Sequence, residues 1–114
     1  CGACTVIVDG EARFSCTLPV GDVAGRQVQT AEGLAAGAAG DHPLLTAFLD
    51  HQAGQCGYCL PGILMRAKAL LDRGAKVSRD DVACELDANL CRCGAHQRIL
   101  DAIMDAAQRL GVAE

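Results

Sequence analysis

The chain has 114 residues, of which 51% are hydrophobic but only 3% aromatic, and its formal net charge is −4. This length suits one ordinary domain or two small ones, and the acidic balance gives no sign of a nucleic-acid-binding surface. No apolar run approaches the length of a membrane span. The 13 glycines and the many alanines leave a thin core, and such scaffolds often depend on a metal or on disulfides.

The first sixteen residues predict a β-hairpin. TVIV at 5–8 is rich in β-branched residues, Asp9-Gly10 is a favoured two-residue turn, and EARFSC at 11–16 returns as the second strand. A short third strand is expected at 28–30, and the Gly- and Ala-rich segment 33–41 is interpreted as a linker.

After this segment the apolar spacing becomes helical, and four helices are predicted. They begin at Pro43, at Pro61, after the N-cap Ser78 and after Gly94. Their apolar faces comprise, in chain order, Leu44, Leu45, Phe48 and Leu49; Ile63, Ala67, Leu70 and Leu71; Val82 and Leu86; and Ile99, Ile103, Ala106 and Leu110.

Residues 42–111 therefore form an approximate repeat of helix, cysteine pair and helix. The repeat predicts a four-helix arrangement with a pseudo-twofold axis, and both cysteine pairs would lie in loops just before helix N-termini.

The eight cysteines are spaced as metal ligands are. The motif C-x2-C occurs at 1/4 and 56/59, and C-x-C occurs at 91/93. Close pairs are typical of metal sites, whereas disulfides more often join distant segments. Residues two apart on a helix point to nearly opposite sides, so the 91/93 pair requires a loop.

Two groups of cysteines follow. Cys56, Cys59, Cys91 and Cys93 supply four thiolates, which can hold zinc, a 2Fe–2S cluster or a 4Fe–4S cluster. Helix N-termini stabilise the negative charge of any of these centres. Two function classes therefore remain, an electron-transfer protein and a structural zinc module that mediates protein contacts.

The second group is Cys1, Cys4 and Cys16, which the hairpin would bring together. Their spacing matches the end of the plant-type ferredoxin pattern, C-x4-C-x2-C…C. The first cysteine of that pattern would lie five residues before Cys1. We therefore expect the native polypeptide to extend further at its N-terminus and to carry one more cluster cysteine there.

Four ordered motifs, CGACTVIVDG, SC at 15–16, QCGYCLPG at 55–62 and NLCRCG at 89–94, span nearly the whole chain. Together they resemble the small iron–sulfur subunit of molybdenum hydroxylases, the xanthine oxidase family, and most closely the small subunits of bacterial nicotinate or isoquinoline dehydrogenases. The resemblance implies an α+β fold. Residues 1–40 would be part of a ferredoxin-like β-grasp domain plus a linker, and 41–114 a four-helix 2Fe–2S domain.

The resemblance also implies two 2Fe–2S clusters and no substrate chemistry in this chain. Electrons would pass from molybdopterin in a large partner subunit, which hydroxylates N-heteroaromatics or aldehydes, to FAD or a haem on another domain or subunit. Gln55 and Cys93 match family residues that contact the pterin. The matching cluster ligands are Cys1, Cys4 and Cys16 for one cluster and Cys56, Cys59, Cys91 and Cys93 for the other.

Some residues depart from the family pattern or lie outside it. Ala88 replaces a common glycine, and GAH at 94–96 replaces TGY, while the ligands stay in place. Cys84 matches no ligand and is predicted to be a small buried hydrophobe. The three histidines are predicted to be solvated or hydrogen-bonded rather than ligands. Thiolate-rich sites favour the reducing cytoplasm, with the periplasm as the alternative.

Overall fold

The computed structural model describes residues 1–35, 37 and 40–114. The predicted hairpin is confirmed: β1 (Thr5–Val8) pairs antiparallel with β2 (Glu11–Phe14). Asp9 and Gly10 both have positive φ angles, 49° and 86°. A turn with two positive φ angles matches the right-handed twist of the strands, which is why Asp-Gly is favoured there.

The third strand is also present. β3 (Val28–Gln29) pairs antiparallel with the free edge of β1, so the sheet order is β2-β1-β3. The second strand is shorter than predicted, because Ser15–Thr17 forms a short 3-10 helix. Residues 36, 38 and 39 of the predicted linker lie outside the described residues.

Four helices follow, and each begins within two residues of its predicted start. They are α1 (Pro43–Asp50), α2 (Leu60–Leu71), α3 (Arg79–Glu85) and α4 (His96–Arg109). A capping box opens α3: the Asp81 N–H donates to Ser78 Oγ at 3.1 Å, and the Ser78 N–H donates to Asp81 Oδ2 at 2.9 Å. No helix in the described part of the chain is long and apolar enough to cross a membrane.

The core lies where the helices meet one another and the sheet. α1 packs against α4, and α2 packs against β1, so Ile7 and Ile63 belong to one buried cluster. All four residues predicted for the apolar face of α2 are buried. The division of the chain near residue 40 and the pseudo-twofold axis remain predictions.

Three burial predictions are wrong. Leu49, in the last turn of α1, is 69% exposed, and Leu110, which follows the end of α4, is 41% exposed. Cys84 is exposed as well. It follows the fully buried Val82 by two residues, and residues two apart on a helix point to opposite sides.

Candidate metal centre

Four cysteines from two distant loops line one cavity of about 100 Å³. Cys56 and Cys59 come from the loop that enters α2, and Cys91 and Cys93 come from the loop that precedes α4. The two close pairs noted in the sequence therefore meet in space, as the repeat predicts.

The loop before α2 turns at Gly57, which lies between the two cysteines. Its φ is +84°, and its carbonyl accepts a hydrogen bond from the Leu60 N–H at 3.2 Å. Only glycine adopts this left-handed conformation without strain. Cys59 follows as the N-cap of α2, so both sulfurs can face the same cavity.

The loop before α4 is not helical at its cysteines, as the 91/93 spacing requires. It turns back on itself through a hydrogen bond of 3.1 Å from the Gly94 N–H to the Cys91 carbonyl. This turn lets Cys91 and Cys93 line the same cavity although they are only two residues apart.

The four thiols form an inner pair and an outer pair. Cys59 and Cys91 are buried and each alters the pKa of the other, whereas Cys56 and Cys93 are exposed and the Cys93 thiol lowers the pKa of Cys56. Within the described ranges, no three His, Cys, Asp or Glu side chains converge closely enough to hold a single metal ion. The four cysteines thus comprise a buried pair and an exposed pair that line one cavity.

The inner pair is electrostatically asymmetric. Burial raises the pKa of Cys59 to about 11, and the adjacent Cys91 sulfur adds to this effect. Burial alone would also raise the pKa of Cys91. The backbone N–H groups of residues 93–95 and the Cys59 thiol outweigh burial and lower that pKa, because these donors stabilise a thiolate.

The outer pair shows the same preference for a thiolate. The backbone N–H of Tyr58 lowers the pKa of Cys56, and the Cys93 thiol lowers it further. Both loops therefore present N–H donors to a sulfur, so the cavity suits anionic sulfur ligands.

Gln55 links the two loops. Its Nε2 donates a hydrogen bond of 3.3 Å to the carbonyl oxygen of Cys93, and it borders the cavity. Tyr58 and Leu90 lie beside the same opening and are 74% and 57% exposed. The predicted contact of Gln55 and Cys93 with a pterin stays a prediction.

The second cysteine group is close to the first. The backbone N–H of Cys16 lowers the pKa of Cys4, and the Cys16 thiol lowers it further. Cys1 precedes them in the N-terminal loop and also borders the 100 Å³ cavity. Its carbonyl oxygen accepts a hydrogen bond of 3.0 Å from the Leu90 N–H.

The three histidines are not among the residues that line the cavity. His42 caps α1 by accepting the Leu44 N–H at 3.1 Å, and His51 lies 2.9 Å from Asp105 Oδ2. His96 is exposed at the start of α4.

Asn89 opens the NLCRC motif, yet the sequence patterns alone assign it no role. It is one of two buried polar residues among those described, at 3% exposure, and the other is Thr5, with which it is hydrogen-bonded. The only local sequence signal for Asn89 was that a polar residue stands immediately before Leu90 and the cysteine pair.

Comparisons with known proteins agree with this geometry. The family model described as "2Fe-2S binding domain" matches residues 30–104. One nicotinate dehydrogenase subunit, from Pseudomonas putida, is 55% identical over 95% of this chain and 68% of its own length. The alpha subunit of isoquinoline 1-oxidoreductase from Brevundimonas diminuta is 48% identical over 95% of this chain and 70% of its own length. This chain thus spans about two thirds of the length of these two subunits.

Solved structures agree as well. The aldehyde oxidoreductase of Desulfovibrio desulfuricans is 44% identical, with a TM-score of 0.89 over 97% of this chain and 12% of its own. All three of these relatives are oxidoreductases or their subunits. The alternative of a zinc module that mediates protein contacts is therefore not supported.

Proposed function

Because this chain belongs to the 2Fe-2S binding domain family, as an iron–sulfur subunit of a molybdenum-dependent oxidoreductase, we propose that its cysteines hold two 2Fe–2S clusters. One would be held by Cys56, Cys59, Cys91 and Cys93. The other would use Cys1, Cys4 and Cys16. The convergence of four thiols from two loops on one cavity is the observation that carries the first of these assignments.

The first cavity fits such a centre. It offers four sulfur ligands in two pairs, and backbone N–H groups lower the pKa of both Cys56 and Cys91. A bound 2Fe–2S cluster would supply one-electron chemistry without any covalent change in the protein. The N–H donors stabilise negative charge on the sulfurs, and charge and hydrogen bonding of this kind set a cluster's potential.

The position of the cavity supports a role next to a partner subunit. Its outer cysteines are exposed, and Tyr58 and Leu90 present exposed apolar surface beside them. A large molybdopterin-binding subunit would dock here, with Gln55 and Cys93 toward the pterin. The electrons would then leave through the Cys1, Cys4 and Cys16 cluster toward a FAD or haem acceptor.

The substrate would be oxidised on the partner, and this chain would perform no substrate chemistry. The two bacterial subunits compared above are named for nicotinate and isoquinoline. Their names favour an N-heteroaromatic compound over an aldehyde as the substrate of the complex.

Substitution of one ligand tests the relay. In the native complex, Cys93→Ala should remove the paramagnetic signal of one cluster and abolish transfer to the physiological acceptor. Cys84→Ala is the matched control, since this thiol is exposed on α3 and outside both cysteine groups. It should keep both signals and full turnover.

The measurements are metal content, electron paramagnetic resonance of the dithionite-reduced protein, and turnover with substrate. The relay role would be overturned if the Cys93→Ala complex, lacking that cluster, still reduced the final acceptor at the wild-type rate. Stoichiometric zinc without iron in the wild-type protein would contradict the cluster assignment itself.

A further inference from the structure

A buried amide joins the two cysteine loops. The Asn89 side chain donates from Nδ2 to the Gly2 carbonyl oxygen at 3.1 Å and to Thr5 Oγ1 at 3.3 Å. Its Oδ1 accepts a hydrogen bond of 3.2 Å from Arg66 Nε on α2. Gly2 lies between Cys1 and Cys4, and Asn89 lies two residues before Cys91, so these bonds connect the proposed ligand loops of the two clusters directly.

Asn89 uses both ends of its side-chain amide in these bonds. No buried side-chain nitrogen or oxygen among the described residues lacks a partner. The Gly2 carbonyl also accepts the Thr5 N–H at 3.0 Å and the Thr5 hydroxyl at 2.7 Å. A buried polar group whose bonds are all satisfied rigidifies its surroundings, because any displacement would leave a polar atom unpaired.

The backbone fits tightly at the same place. A Cβ on Gly2 would lie 2.5 Å from Asn89 Nδ2, and a Cβ on Gly62 of α2 would lie 2.0 Å from the Gly2 carbonyl oxygen. The hydrogen bond from the Leu90 N–H to the Cys1 carbonyl runs alongside. The N-terminal loop therefore sits against both α2 and the loop before α4 with no room to shift.

We propose that Asn89 is a positioning residue that clamps loop 1–4 to loop 89–94 and thereby sets the rate of electron transfer between the two clusters. This inference rests on the proposed function. If both proposed clusters are bound, the step would oxidise the cluster held by Cys56, Cys59, Cys91 and Cys93 by one electron and reduce the other cluster by one electron. It would require no bond to form or break.

The clamp acts on this step because it determines how closely the two ligand loops approach. Asn89 is not itself a proposed ligand, since its side chain bonds to Gly2, Thr5 and Arg66. A merely structural role would change stability alone, whereas a positioning role would also change the magnetic and kinetic coupling of the clusters.

The test compares Asn89→Ala with Val82→Ala in the native complex. Val82 is fully buried on α3, outside loops 1–4 and 89–94, so its truncation destabilises the core without removing any hydrogen bond of the clamp. We expect Asn89→Ala to retain both cluster signals while weakening the spin–spin splitting between the reduced clusters and slowing intercluster transfer after rapid reduction by substrate. Val82→Ala should leave both quantities unchanged.

Hydrogen exchange gives a readout that does not depend on turnover. The Leu90 amide should exchange about tenfold faster in Asn89→Ala, because loss of the clamp lowers the free energy of local opening by at least that of a typical hydrogen bond. In Val82→Ala the exchange rate of the Leu90 amide, divided by the rate of neighbouring amides, should equal the wild-type ratio.

The outcomes separate the two proposals. The clamp proposal would be overturned if Asn89→Ala kept the wild-type spin–spin splitting and intercluster transfer rate. It would also be overturned if Val82→Ala lost as much of both quantities as Asn89→Ala does. If Asn89→Ala does not assemble, the isosteric Asn89→Asp replaces the Nδ2 donor that bonds both Gly2 and Thr5 by an oxygen, and unchanged splitting there would overturn the clamp equally. A wild-type protein with one cluster signal would instead overturn the two-cluster function, and the clamp's role in transfer with it.

Discussion

Gly62 illustrates how a single residue decides the approach of α2 to the N-terminal loop. The fit around its Cα is set by backbone rather than by flexible side chains, because the nearest atoms to an added Cβ belong to Gly2 and Ala3. Backbone atoms cannot move aside without disturbing the Cys1–Cys4 loop. At this position a single added methyl group would displace the N-terminal loop from α2 and so change the geometry beside the proposed centre.

We therefore expect Gly62→Ala to destabilise the protein by roughly 1–3 kcal/mol, the usual cost of overpacking a well-packed site. Gly21→Ala is the control, since nothing lies within 4 Å of the place that an added Cβ would occupy and its φ is not in the left-handed region. It should be neutral or stabilise by about 0.4–1 kcal/mol. Urea unfolding of both variants measures the difference, and equal stability of the two would contradict the close approach.

At the scale of elements, the helix starts are determined by local hydrogen bonds. Ser78 and Asp81 satisfy each other's backbone N–H groups at the start of α3. α1 begins differently, with an imidazole nitrogen as the acceptor and Pro43 in its first turn. Both helices are short, so each depends strongly on its cap.

Replacement of Ser78 by Ala should lower the free energy of unfolding by about 1 kcal/mol, because the Asp81 N–H loses its acceptor. Ser78→Asp restores an acceptor oxygen at the same position and should recover most of the loss. Thermal or urea unfolding is the measurement. An alanine variant as stable as the aspartate variant would show that the cap contributes nothing.

The His42 cap should make stability depend on pH. Burial lowers the pKa of His42 from its usual 6.5, and the charge of Lys68 lowers it further, while Asp72 opposes this. The folded chain thus favours the neutral ring. The contribution of the neutral His42 ring to the free energy of unfolding is complete above about pH 6.5. This contribution is lost as the pH falls through the folded-state pKa, because the unfolded chain then binds the proton more readily.

His42→Asn keeps an acceptor at the N-cap but does not titrate in this range. Between about pH 7.5 and about pH 5, the wild type should lose more stability in urea unfolding than His42→Asn does. His96→Asn, at an exposed histidine, should behave as the wild type. Parallel pH profiles for the wild type and His42→Asn would exclude a role of the cap in acid sensitivity.

At the scale of the whole molecule, the core is thin and rests on small residues. Ala47, Ala67, Ala102, Ala106 and Ala107 are all at most 1% exposed, and each buries little apolar area. Cys59 and Cys91 belong to the same buried cluster. The proposed centre would therefore add a link between the loops before α2 and α4 to a core built from small side chains.

Removal of iron should accordingly destabilise the helical part of the molecule, because metal binding contributes directly to folding in small metal domains. Chelation under reducing conditions, followed by circular dichroism and thermal melting, tests this. The Cys84→Ser protein should respond like the wild type, since this thiol lies outside both cysteine groups. Unchanged helicity and an unchanged melting temperature after complete iron removal would refute the expectation.

The sequence by itself determined most of the strand and helix starts, and it indicated the paired cysteines as candidate metal ligands. The Asp9-Gly10 turn, the capping box at Ser78 and the helix starts arise from contacts between residues at most four apart, so they can be inferred from local patterns. The close spacing of the cysteines indicated metal ligation and a loop at Cys91 and Cys93 for the same reason.

Only the tertiary structure decided which sides of these elements are covered. Leu49 and Cys84 are exposed because burial depends on which neighbour packs against each face, and helical periodicity does not contain that information. The bonds of Asn89 to Gly2 and Thr5 join residues 87 and 84 positions apart. Such contacts form only when the N-terminal loop, α2 and the loop before α4 pack together, so no local pattern could have predicted them.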